Sequence, residues 1–211
     1  YGLSDSFPIT EDHKISPINP YGKTKAAIEN MLSNLYYSDK NIWKICSLRY
    51  FNPVGAHPSG LIGEDPIGNP NNLFPFLTQV AIGRQKLLQV FGDDWDTKDG
   101  SGIRDYIHII DLAEGHLASI DYLNSKRSCL EFINLGSGKG YSVFEIIKQF
   151  ELSTGCNIPF SIQQRRDGDV ARCYADISKA KKLLNWTPKK KLEEICLDGW
   201  NWQMKNPNGY N

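Results

Sequence analysis

The chain has 211 residues, 40% of them hydrophobic, and its 24 Lys plus Arg are matched by 24 Asp plus Glu. That length suits one domain or most of two, and the apolar fraction can fill a core. A formal net charge of zero excludes bulk recognition of nucleic acid or of an anionic membrane, and no apolar run is long enough to cross a bilayer.

Five cysteines, odd in number and without a Cys-x-x-Cys spacing, predict free thiols in a reducing compartment, the cytoplasm. His13, His57, His108 and His116 lack ligand-type partners at short spacing, which predicts no metal site.

The first predicted helix opens at Asn19-Pro20, because proline favours the first helical turn. Ile28, Met31, Leu32 and Leu35 mark an apolar stripe at helical spacing. Tyr21 and Lys25 fall on one face of that helix. The lysine can then hold its ammonium near the phenol oxygen. A free phenol titrates near 10, and bringing it toward 7 takes roughly 4 kcal/mol of phenolate stabilisation. A close cation is the direct source. Such a pair makes a base for an alcohol proton, although a Tyr and a Lys on a wet helix face is the commoner meaning of the spacing alone.

Residues 42–51 are rich in bulky side chains and predict a buried strand. Helix then strand is the α/β order, and it places Tyr21 near a sheet. The irregular stretch 55–70, rich in Gly and Pro, marks a soft domain boundary. Asn71-Asn72 can cap a helix with Pro75 in its first turn and an end near Gly83. A short strand follows over 87–91. The acidic run 93–100 fails as a calcium loop, because Lys98 falls at a ligand position and Asp99 where the sharp turn needs Gly. Asp111 is expected to cap a helix over 112–123, with Leu117 and Ile120 facing inward. Residues 129–135 read as a strand. Gly136, Gly138 and Gly140 then form a plain strand-to-helix turn, since their spacing fits neither dinucleotide nor phosphate loops. Ser142 and Glu145 form a capping box for a helix to 153. A strand over 158–163 and helices over 178–185 and 192–205 close the chain.

The residues in this order closely resemble the UDP-glucose 4-epimerases, members of the extended short-chain dehydrogenase/reductases. The resemblance runs through Asn19-Pro20-Tyr21-x-x-x-Lys25, Leu48-Arg49-Tyr50-Phe51-Asn52-Pro53-x-Gly55-Ala56, and Ile62-Gly63-Glu64-Asp65-Pro66. It continues through Asn71-Asn72-Leu73, Val90-Phe91-Gly92, Arg104-Asp105-Tyr106-Ile107-His108 and Asn134-Leu135-Gly136. Arg165-Arg166-Asp167-Gly168-Asp169, Trp186 and Trp200 complete it. It implies an α/β fold, with part of a Rossmann-like domain over 1–55. A small mixed α/β nucleotide-sugar-binding domain over 56–211 would return some elements to the first. In the family a glycine-rich turn and a catalytic serine precede the position of Tyr1. The chain is therefore expected to be the C-terminal portion of a longer enzyme, and inactive when isolated.

The resemblance also implies the chemistry. A UDP-sugar is the substrate, NAD the cofactor, and a homodimer the assembly. UDP-glucose and UDP-galactose would interconvert through a 4-keto sugar, a step of galactose metabolism. Tyr21 would take the 4-hydroxyl proton. Lys25 would lower its pKa and bind the nicotinamide ribose, with Tyr50 and Phe51 beside the nicotinamide. Arg104 and Arg166 match diphosphate positions, where a guanidinium fork suits phosphate. Asp169 matches the ribose-binding carboxylate. Asn52, Asn72 and Leu73 match sugar-nucleotide contacts, and Gln89, Val90 and Phe91 the segment along the uracil. Cys173 matches a sugar-pocket position where a small residue admits N-acetylated sugars, or else it is a small buried apolar residue. Two other readings stand beside this one: a nucleotide-sugar dehydratase on the same fold, and a fragment that binds nothing.

Overall fold

In the computed structural model, which describes residues 1–4 and 6–210, Asn19 opens the first helix. Its side-chain oxygen accepts from the Gly22 N–H at 2.7 Å, and Pro20 sits where an N–H would have no partner. Helix α1 spans Pro20–Ser38 and packs on strand β1, Lys44–Tyr50. β1 pairs in parallel with β5, Cys129–Leu135, from Lys44 opposite Cys129 to Tyr50 opposite Leu135.

Two expectations fail here. The run 42–51 is not a buried strand: Ile42 and Tyr50 are exposed, and most of β1 is half-buried. The stripe on α1 is uncovered, with Met31 69% exposed and no residue of the helix buried. Among the described residues β5 is the one strand beside β1. What holds α1 is polar. Glu29 receives Arg49 Nε at 2.8 Å and Arg49 Nη2 at 2.7 Å, a two-pronged ion pair.

The second sheet has the order β2 (Asn52–Val54), β4 (Ile103–His108), β6 (Gly140–Ser142), with β8 (Arg172–Cys173) also on β4. Strands β3 (Leu88–Phe91) and β7 (Phe160–Gln163) form a parallel pair. The remaining helices are α2 (Leu73–Ala81), α3 (Ile109–Asn124), α4 (Val143–Thr154), α5 (Ser178–Leu184) and α6 (Leu192–Lys205). Four strands escaped sequence reasoning, namely β2, β4, β6 and β8. β4 shows why, because charged Arg104 and Asp105 interrupt its apolar pattern.

Asp105 is fully buried and holds the glycine turn. Its carboxylate accepts from Ser137 N at 2.6 Å, Ser137 Oγ at 2.6 Å, Gly138 N at 3.0 Å and Ala175 N at 3.1 Å. The amides that would cradle a phosphate already have an anion, so the turn is structural, as its spacing predicted. Burial pushes the Asp105 carboxyl above its usual range despite these donors.

Helix α3 corrects two expectations. Its cap is His108, whose Nδ1 accepts from Ile110 N at 3.0 Å. Asp111 lies buried inside the first turn, where its carboxylate accepts from Lys190 N at 2.9 Å. Leu117 is 64% exposed and Ile120 is also exposed, because the inward face carries Leu112, Gly115 and Ser119. A methyl on Gly115 would come within 3.0 Å of Leu135 Cδ1. The small residues let the helix sit close to β5, and that turns the bulky ones outward.

Two apolar cores result. One gathers Val54, Phe74, Leu77, Tyr106, Phe150 and Ile195, and the other Ile107, Leu112, Ile133, Leu135 and Trp186. β4 feeds both, because successive strand residues point to opposite faces.

Candidate active site

A cleft of about 960 Å³ lies between the start of α2 and β3, closed on one side by the turn that carries Arg166 and Asp169. It brings together six residues singled out in the sequence: Asn72, Leu73, Gln89, Phe91, Arg166 and Asp169. Asn72 stands at the N-cap of α2 without using its side chain as a cap, so the amide stays exposed at the cleft. On β3, Leu88 and Val90 point into the core, while Gln89 is exposed and lines the cleft. The Val90 side chain therefore lies away from the cleft, 1% exposed. Sequence reasoning missed the opposite rim, where Arg84 and Lys86 line the same cleft. The sole signal there was the helix end at Gly83.

The cationic side of the cleft is ordered by stacking and pairing. The Arg166 guanidinium lies 3.7 Å from the centre of the Phe91 ring, and its Nη1 donates to Asn71 O at 3.0 Å. Arg165 stacks on Trp95 at 4.1 Å and pairs with Asp94 at 2.7 Å. Arg104, on β4, is itself outside the lining and meets the cleft through Asp169, whose Oδ1 accepts from its Nη2 at 2.6 Å. Cys173 is its register partner on β8, half-buried and behind the cleft lining, and burial pushes its thiol up. Asn52 sits on β2 opposite Tyr106, also outside the lining.

Tyr21 and Lys25 form a separate group. Lys25 Nζ lies 5.0 Å from the centre of the Tyr21 ring, over its face, and the phenol is 72% exposed. The link from α1 to β1 spans only residues 39–43, so the helix must run antiparallel to the strand. Glu29 meets Arg49 near the carboxyl end of β1. Tyr21 and Lys25, one to two turns earlier, therefore stand roughly 6–12 Å beyond that end at 1.5 Å per residue. Open α/β sheets bind their ligands outside the carboxyl ends of the strands. Tyr50 occupies the same end of β1, with its hydroxyl 2.6 Å from His116 Nε2. His116 Nδ1 donates to Leu112 O at 2.9 Å, which leaves Nε2 as the acceptor and the Tyr50 hydroxyl as the donor. Phe51 follows, half-buried, its ring 6.4 Å from that of Tyr1. The start of α1 approaches the cleft, since a methyl on Gly168 would sit 4.0 Å from Asn19 Cβ.

A polar network at Arg49 also went unread in the sequence. Arg49 Nη1 donates to the Tyr1 hydroxyl at 2.9 Å, and that hydroxyl donates to Asn134 Oδ1. Burial pushes the Tyr1 phenol up to about 12. Among the described residues, no group of three or more His, Cys, Asp or Glu could hold a metal ion.

A model of the family described as GDP-mannose 4,6 dehydratase matches residues 1–198. The chain belongs to that family. It is homologous along its whole length to proteins named UDP-glucose 4-epimerase. The one from Bacillus subtilis (strain 168) is 52% identical over 211 residues, covering 100% of this chain and 61% of that protein. The one from Dictyostelium discoideum is 50% identical over 210 residues, with the same coverages of 100% and 61%. Among solved structures, UDP-glucose 4-epimerase from Bifidobacterium longum in complex with NAD+ and UDP superposes with a TM-score of 0.93. It is 49% identical and covers 98% of this chain and 61% of that one. The chain thus spans about 61% of the length of the curated relatives it matches. These relatives agree with the α/β fold expected for an extended short-chain dehydrogenase/reductase.

Proposed function

We propose that the chain carries the UDP-sugar cleft and the proton-transfer pair of a UDP-glucose 4-epimerase, an NAD-dependent isomerase. The observation that carries this reading is the cleft, where six residues from three separate stretches of sequence, each matched by the resemblance to a ligand-binding position, line one cavity. Arg104 and Arg166 bind the diphosphate and Asp169 the ribose. Gln89 and Phe91 lie along the base, with the backbone of Val90. Asn52, Asn72 and Leu73 meet the sugar nucleotide. Tyr21 accepts the proton of the sugar 4-hydroxyl and returns it to the other epimer, and Lys25 supplies the positive charge that favours the phenolate. NAD supplies the hydride acceptor and donor. The residues present fit its nicotinamide end: exposed Tyr21, Lys25 and Tyr50, with Phe51 behind, stand at the carboxyl end of a parallel strand.

Residues 1–55 belong on this reading to the cofactor domain and 56–211 mainly to the substrate domain, with β5 and α5 returning to the first. The pairing of β1 with β5 supports that division. The assembly is a homodimer in the cytoplasm, supported by the uncovered apolar stripe of α1 and five free cysteines. The small Cys173 supports acceptance of N-acetylated UDP-sugars as well.

The test is a chimera joining residues 1–211 to the part of the Bacillus subtilis epimerase that lies outside the match. It should interconvert UDP-glucose and UDP-galactose, and Tyr21→Phe should lower turnover by about a hundredfold or more. Undiminished turnover in the Phe variant sinks the assignment. Loss of water to a stable 4-keto product would instead favour the dehydratase that the family description names.

A further inference from the structure

The two groups assigned to the diphosphate and to the ribose of the ligand hold each other. Arg104 Nη2 donates to Asp169 Oδ1 at 2.6 Å, with Arg104 17% and Asp169 39% exposed. The second arm of Arg104, Nη1, donates to Ile103 O at 2.9 Å. The neighbouring cations have partners of their own. Arg165 pairs with Asp94, Arg166 with Asn71 O, and Arg172 with Asp96. Among the described residues, none of these three forms an ion pair with Asp169.

Resting on the reading of the cleft as a UDP-sugar site, we propose that Asp169 is a selectivity gate. Its carboxylate occupies Arg104 in the empty cleft and yields to a ligand that brings a diphosphate and a ribose together. A guanidinium fork accepts a carboxylate or a phosphate in similar geometry, so the two compete for Arg104. A phosphate that arrives alone must displace Asp169 and give up the ion pair, returning the half-exposed carboxylate to water with nothing gained from it. A nucleoside that arrives alone finds Asp169 already engaged. A nucleoside diphosphate replaces the carboxylate on Arg104 and offers ribose hydroxyls to the released Asp169. The ion pair is then broken once for both halves, which makes their binding mutually favourable. The cleft thereby rejects free pyrophosphate and free uridine without any steric barrier.

Calorimetric titration of the chimera described above with UDP, uridine and inorganic pyrophosphate tests the gate. Asp169→Asn removes the competing charge, so pyrophosphate should bind about threefold to fivefold more tightly than to the wild type. UDP should bind more weakly to the same variant, because the ribose acceptor is impaired. Opposite changes for the two ligands are what a merely structural role would not produce. Asp167→Asn carries the same change of charge two residues away and should leave pyrophosphate binding at the wild-type level. The gate is overturned if Asp169→Asn binds pyrophosphate no better than wild type, or if Asp167→Asn gains as much. Should the Asn variant unfold early, Asp169→Ser with a wild-type melting temperature takes its place under the same criteria. A chimera with the wild-type residues that binds no UDP would sink the reading of the cleft and the gate together, whereas UDP binding without the pyrophosphate gain sinks the gate alone.

Discussion

Single residues matter here through what they leave open as much as through what they touch. Cys173 lies beside Arg104 in the β4–β8 register, half-buried, with a thiol whose ionisation burial disfavours. A compact thiol there takes up far less volume than a phenol would. In the chimera, Cys173→Tyr should lower turnover of UDP-N-acetylglucosamine by about tenfold to a hundredfold, the effect of overpacking a fitted site. UDP-glucose turnover should stay within about twofold. Steady-state kinetics with both substrates checks this, and an equal loss on both would show a general packing defect. At this scale the residues of the proposed site were legible as an ordered set of motifs. The partner of each was not. Arg104 and Asp169 are 65 residues apart in sequence, and nothing local announces that they meet.

At the scale of elements, α1 is held by charge more than by burial. The Arg49–Glu29 pair has side-chain exposures of 14% and 17%, so each ion depends on the other for the hydration it has lost. Glu29→Ala should strand the Arg49 guanidinium and destabilise the chain by about 1–3 kcal/mol, read as a lower urea midpoint. Met31→Ala on the open stripe should change stability by less than about 0.5 kcal/mol. Equal effects from the two would mean that α1 is anchored through its apolar residues. The caps of α1 and α4 were legible because Asn19, Ser142 and Glu145 act on amides within one turn. The orientation of α3 was not, since Gly115 and Ser119 decide it by letting the helix close on β5.

For the whole molecule, β4 is the shared wall, with Tyr106 in one core and Ile107 in the other. His108 locks its end. It is fully buried, its Nδ1 caps α3, and its Nε2 donates to Asp198 of α6 at 3.1 Å. Burial holds the imidazole below its ordinary pKa, outweighing the Asp198 carboxylate. The unfolded chain therefore binds a proton near pH 6.5 that the folded one resists. Stability from this residue is complete above that pH and falls as pH drops below it. The melting temperature should decline between pH 7.5 and about 5.5 by a few degrees, and His108→Asn, which keeps a capping oxygen, should flatten the decline. An unchanged slope in the variant would assign the acid sensitivity elsewhere.

The amino-acid sequence by itself determined the α/β order, most helices, the capping box of α4, the strand Cys129–Leu135, and the residue types of the proposed nucleotide-sugar site. Those features rest on local periodicity, capping within one turn, and motif order, all of which operate over a few residues. Only the tertiary structure decided that a strand runs through Arg104-Asp105, that the glycine turn closes on a buried carboxylate, that Val90 turns from the cleft, and that Arg104 rests on Asp169. Each of these depends on a partner far away in the chain. A charged residue becomes tolerable inside a strand, or a bulky one outside a helix, only when the distant group that compensates it has arrived.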